Sequence, residues 1–153
     1  MLVTRPDSWN LPLLVHVAGA ALMVGALVCV TAALVLAWGR ADRGEAAMLT
    51  RFGFRALLLG AIPAYVIMRV GAEWVVSEEG LADVDPLWIG IGYSTADLGA
   101  LFIIASTVAA WMALRKARAD GGKSAGTTVA ATLVAILIVA YAVAIWAMST
   151  KPI

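Results

Sequence analysis

Tyr65, Arg69 and Glu73 recur at four-residue spacing in the stretch AYVIMRVGAEW, from Ala64 to Trp74. At 3.6 residues per turn they make one polar stripe on an otherwise apolar helix, which a bilayer accepts only where the stripe faces protein, water or a ligand. His16, the only histidine, and Asp97 add an imidazole and a second carboxylate. An imidazole, a guanidinium and two carboxylates have the chemistry to bind an anionic head group, to pass a proton, or to hold a metal or a quinone.

Each of these residues also has a purely structural reading. His16 is then an interfacial residue that hydrogen-bonds a carbonyl or carboxylate. Arg69 and Glu73 form an ion pair that persists because removing either partner strands a charge in low dielectric. Asp97 is the capping acid of a helix start, and Tyr65 needs a hydrogen-bond partner that Arg69, one turn away, can supply. Glu78, Glu79, Asp83 and Asp85 make a solvated acidic loop without the spacing of an EF-hand.

Other chemistry is limited by what the chain lacks. Cys29 is the only cysteine, so no intramolecular disulfide, CxxC pair or cysteine-built zinc site forms, and it reads as a small buried hydrophobe. One histidine makes a poor zinc or non-haem iron site and excludes bis-histidine haem within one subunit. Haem would need Met23, seven residues on and nearly on the same face, or His16 from two chains. No Ser-His-Asp order, glycine-rich phosphate loop or HExxH motif gives an enzyme reading a foundation.

These side chains must be positioned by membrane helices. The 153 residues are 63% hydrophobic and 14% charged, with a mean hydropathy of +0.94, which marks a polytopic membrane protein and gives nucleic-acid binding no support. The composition predicts an all-α, four-helix up-down bundle in a single membrane domain, with spans near 11–38, 52–76, 95–114 and 127–148. Asn10 and Pro12 start the first span, which is too long for a signal-peptide core and reads as a retained helix. Ala21, Gly25, Cys29 and Ala33 give that span a smooth stripe for another helix.

Arg40 to Arg51 reads as a polar loop. In the second span Pro63 clashes with the carbonyl of Leu59, predicting a kink near Gly60 to Pro63 that opens space beside the polar stripe. Ser94-Thr95-Ala96-Asp97 resembles a capping box, which places the start of the third span at Thr95 and leaves Pro86 to Tyr93 as an interfacial turn or short helix. The competing reading is one long helix from Pro86. Arg115 to Lys123 is a basic connector with Gly121-Gly122.

Arg40, Arg43, Arg51, Arg55, Arg115, Lys116, Arg118 and Lys123 cluster on one side, against Arg5 and Lys151 on the other. The positive-inside rule puts both basic loops in the cytoplasm and both termini outside, in the cell membrane. Trp9, Trp74, Trp88 and Trp146 then fall near the outer interface, and Trp38 and Trp111 near the inner one. His16, Arg69, Glu73 and Asp97 share an outer slab about 10 Å thick, at a rise of about 1.5 Å per residue.

The first helix, LLVHVAGAALMVGALV, resembles the opening helix of small bacterial four-helix integral membrane proteins, the copper-resistance D-type group among them. That resemblance implies a bacterial inner membrane, His16 as the residue to watch, and metal or haem handling. This chain has no second histidine. The function expected from the whole is a non-enzymatic subunit or accessory partner of a larger membrane complex, or a homo-oligomer, with an outer-leaflet polar pocket. A haem-, metal- or quinone-binding redox protein and an oligomeric transporter or channel are the alternatives.

Overall fold

A computed structural model of the protein describes residues 10–80, 87–120 and 124–150, the side chains of 118–120 excepted. It is all-α, and among the described residues four helices are long and apolar enough to cross a membrane. The chain is therefore a multi-pass membrane protein. Its spans are α1 (Leu11–Gly39), a second helix in three parts, α4 (Leu87–Asp120) and α5 (Ala125–Thr150). The composite helix consists of α2 (Arg43–Ala56), a π-helical turn (Leu57–Ala61) and α3 (Ile62–Glu79).

The start of α1 follows the expectation: the Asn10 side chain accepts from the Leu13 amide at 3.2 Å, with Pro12 in the first turn. The polar loop after α1 is shorter than expected. Asp42 accepts from the Glu45 amide at 2.8 Å and caps a helix that begins at Arg43, so most of the 40–51 segment is helical. Pro63 acts at the expected place. It has no amide hydrogen to give the Leu59 carbonyl, and the turn before it widens so that the Ile62 amide reaches back to Leu57. Gly80, at φ 64°, ends α3 in the left-handed conformation, its amide donating to the Val76 carbonyl.

The third span corrects the expectation. It starts at Leu87, not Thr95, so the long-helix reading is the right one and Asp97 is ten residues inside α4 rather than its cap. Gly90 and Gly92 do not interrupt it, and the Met148 side chain of α5 packs where a Cβ of Gly92 would stand. The same helix continues past Leu114 to Asp120, and α5 begins at Ala125 rather than Thr127. Residues 121–123, and the acids Asp83 and Asp85, lie outside the described residues.

Packing places α1 at the centre, against α2, α3 and α5, while α4 packs on α5 and α2. Met23, Leu27, Val30 and Leu34 of α1 are fully buried and meet Leu57, Ile103, Val134 and Leu137 in one core. The composite helix touches α4 along α2 but scarcely along α3. The divergence begins at the π turn. α3 instead lies directly on α1, through two glycines: a Cβ on Gly19 would stand 2.7 Å from Met68 Cα, and one on Gly71 would stand 2.7 Å from His16 Cα. In lipid such contact between backbones replaces the hydrophobic drive available in water.

Gly19→Val and Gly71→Val are each expected to lower thermal stability in detergent by about 1–3 kcal/mol, as overpacking does. Gly25→Val, where a Cβ meets nothing within 4 Å, is the control expected to leave it unchanged.

Candidate functional site

The gap between α3 and α4 is a cavity of about 260 Å³, bounded also by α1 and α5 and lying at the end where α1 begins. Its walls are mainly apolar, with Met23, Met68 and Ile145 among them, and its polar lining comes from His16, Arg69, Glu79, Trp88, Tyr93 and Tyr141. At this size it suits a small molecule or part of a lipid.

Four side chains bridge α3 and α4 where their backbones part. Arg69 Nη2 lies 3.2 Å from Glu73 Oε1 and 3.4 Å from Asp97 Oδ1. Its guanidinium stacks on the Tyr93 ring, 4.5 Å from the centroid, and the Tyr93 hydroxyl donates to Glu73 Oε2 at 3.1 Å. Arg69 and Glu73 meet because they are one turn apart, and Tyr93 and Asp97 face them for the same reason on α4. Arg69 is 28% exposed and the two carboxylates 53% and 66%, so the cation faces inward and the anions form the rim. The bridge carries one positive and two negative charges.

His16 sits at the α1–α3 crossing. Its Nδ1 is 3.0 Å from the Met68 carbonyl oxygen, which can only accept, so Nδ1 carries the proton. The structural reading of His16, a hydrogen bond to a carbonyl, is thus realised, and it leaves Nε2 without a partner among the described residues. A neutral imidazole held in this tautomer presents an acceptor at Nε2. Met23, the sulfur considered beside His16 for haem, lines the same cavity. Among the described residues no group of three or more His, Cys, Asp and Glu lies close enough together to hold a metal ion.

Tyr65 stands apart. It is half-buried against the core, does not line the cavity, and makes no hydrogen bond among the described residues, because Arg69 turns towards Tyr93, Glu73 and Asp97 instead. Glu78 and Glu79 belong to the last turn of α3 rather than to a loop. Glu79 accepts from Asn10 Nδ2 at 3.1 Å, tying the start of α1 to the end of α3, and Glu78 accepts from Trp74 Nε1 at 3.3 Å.

Two contributors escaped the sequence reading. The capping-box reading puts Tyr93 in an interfacial turn, although its position four residues before Asp97 is the signal that places it on the same helix face. Tyr141 is a phenol among the apolar neighbours Val139, Ala140, Ala142 and Val143 of α5. It is 5% exposed and lines the cavity, its hydroxyl pressed against Gly99, and among the described residues that hydroxyl is the one buried side-chain polar atom without a partner.

Tyr93→Phe keeps the stacked ring and removes one hydrogen bond, so it is expected to lower thermal stability by about 0.5–1.5 kcal/mol. Tyr93→Leu also loses the stacking and is expected to cost about 0.5–1 kcal/mol more; equal melting of the two variants in lipid nanodiscs would show that the stacking contributes nothing. No family model, curated protein or solved structure matches this chain.

Proposed function

We propose that this chain is a non-enzymatic integral membrane protein that serves as a subunit or accessory partner of a larger membrane complex, with its polar cavity in the outer leaflet. The observation that carries the reading is the outward stripe on α1. Ala21 and Gly25 are exposed on the finished bundle, as is Cys29, which corrects its reading as a buried hydrophobe; only Ala33 is buried, and beyond its own helix backbone nothing comes within 4 Å of a Cβ at Gly25. A smooth stripe left bare on the central helix favours close packing by a helix of another subunit, a second copy included. The spans occupy nearly all of the described chain, so such contacts are made within the bilayer.

The orientation rests on charge. The described residues put Arg40, Arg43, Arg51, Arg55, Arg115 and Lys116 towards one end, and Arg69 alone among Glu73, Glu78, Glu79 and Asp97 at the other. The basic end is then cytoplasmic, in the cell membrane.

Gly25→Leu tests the stripe directly, because a Cβ at this position faces open space. Gently solubilised wild-type protein is expected to run as an oligomer or to bring down a larger membrane protein, and Gly25→Leu to lose that association at unchanged melting temperature. A monomeric wild type, or a variant that associates equally well, would sink the proposal. For orientation, an impermeant thiol reagent on intact cells is expected to label Glu78→Cys, and Arg43→Cys only after permeabilisation, in a Cys29→Ser background.

A second reading is favoured by the unpartnered His16 Nε2 and Tyr141 hydroxyl beside one apolar cavity. In it the cavity holds a lipid-soluble molecule of quinol type, whose hydroxyl donates to His16. The surplus of carboxylates at this end selects for an uncharged or cationic ligand over an anion. The resemblance of α1 to the copper-resistance D-type proteins adds a metal or haem to the candidates for His16. Organic extracts and absorption spectra of the purified protein are expected to show a bound molecule that His16→Ala reduces about tenfold, the loss of one hydrogen bond of about 1.4 kcal/mol. The same extract and spectrum from both proteins would leave His16 as a packing residue.

A further inference from the structure

The opposite end of the bundle holds a second cavity, of about 290 Å³, where α1 and α4 finish and α2 and α5 begin. It exists because the facing residues are small: Ala37, Ala46, Ala47, Ala113 and Ala117 leave the four helix ends apart. Its polar lining differs from that of the first cavity. Arg40, Arg43 and Thr50 stand on the α1–α2 side, Ser124 and Thr127 on the α5 side, and among the described residues no carboxylate lines it.

The partners of these groups are incomplete. Arg40 makes one contact, 3.6 Å to Glu45, between side chains that are both about half exposed, and Arg43 has no ion pair among the described residues. Ser124 Oγ accepts from the Gly126 amide at 3.2 Å and still has its own hydrogen to donate. Thr127 is half-buried, and its hydroxyl has no partner among the described residues. Two helix N-termini and two C-termini end here, so the helix dipoles offset one another and the fixed charges decide the sign. With Arg51, Arg55, Arg115 and Lys116 towards the same end, against Asp42 and Glu45, the sign is positive.

We propose that this cavity seats the phosphate of an anionic phospholipid, gripped by Arg40 and Arg43 on one side and by the hydroxyls of Ser124 and Thr127 on the other. A phosphate ester is the chemistry that matches two guanidinium forks and two hydroxyl donors around a space of this size. A lipid rather than a soluble phosphate is favoured by what adjoins the cavity. Trp38, part of its lining, is 59% exposed, and the apolar Val35 and Leu36 are also exposed on the turn before it, giving acyl chains a surface that leads away from the head group. The proposal is independent of what occupies the opposite cavity.

The test is native mass spectrometry of the full chain, released from mixed micelles of phosphatidylglycerol and phosphatidylcholine with identical acyl chains. Wild-type protein is expected to retain one phosphatidylglycerol with a preference of about tenfold or more, since two basic side chains face one anionic head group. The double variant Arg40→Gln/Arg43→Gln is expected to lose that preference, and Arg115→Gln/Lys116→Gln to keep it, both at wild-type helical content. No preference in the wild type, or equal loss in the two variants, would overturn the proposal, the second outcome replacing a site with a diffuse field. Displacement of the lipid by millimolar inorganic phosphate would overturn it in favour of a soluble ligand.

Discussion

The backbone contact between α1 and α3 is the constraint from which the rest of the structure follows. Gly19 and Gly71 are placed so that each helix fills the space where the other lacks a Cβ, and the His16 ring closes the same crossing with its bond to the Met68 carbonyl. α3, held this closely to α1, scarcely meets α4. Pro63 and the π turn before it provide the change of path, letting α2 stay on α4 while α3 leaves it. The cavity between α3 and α4 is the space left by those two packings, so its existence rests on backbone geometry more than on the side chains that line it.

Arg69 then has a structural task that its sequence neighbourhood does not reveal. Glu73, on its own helix, could satisfy it alone, yet Asp97 and Tyr93 reach it from α4 as well. The bridge closes the bundle at a level where backbone packing is missing. Ion pairs this exposed contribute little in water, but at the edge of a bilayer each partner would otherwise carry an uncompensated charge towards hydrocarbon. Arg69 and Tyr93 of this bridge also line the cavity, while Glu73 and Asp97 give the bridge beside it a negative balance.

The four spans were legible in the sequence because the hydrocarbon core demands about 20 apolar residues in each helix, a demand that composition displays openly. That the helix is irregular before Pro63 was legible because proline lacks an amide hydrogen, although the irregularity is a π turn. The pairing of Arg69 with Glu73 was legible from four-residue spacing, but that Asp97 joins them while Tyr65 forms no hydrogen bond with them was not. The start of α4 was not, because Ser94-Thr95-Ala96-Asp97 carries the residues of a cap and nothing local shows that the helix is already running. Membrane helices absorb such residues by bonding them to their own preceding turn, as Ser106 does with the Phe102 carbonyl at 2.7 Å. The partner of His16 was hidden for a different reason: a backbone carbonyl on another helix leaves no mark in the order of side chains.

The length of α4 ties the site to the membrane itself. Its 34 residues rise about 50 Å, against a hydrocarbon core of about 30 Å, so roughly 20 Å of helix must tilt or emerge at the two ends. Asp97, ten residues in, lies about 15 Å from the start, close to where hydrocarbon gives way to head groups when that excess is shared between both ends. A thicker bilayer draws the Arg69 bridge inward and raises the cost of its exposed carboxylates; a thinner one lifts the mouth of the cavity towards water. The depth at which this protein carries its charges is thereby coupled to bilayer thickness, which makes lipid composition a variable of the site as real as any side chain in it.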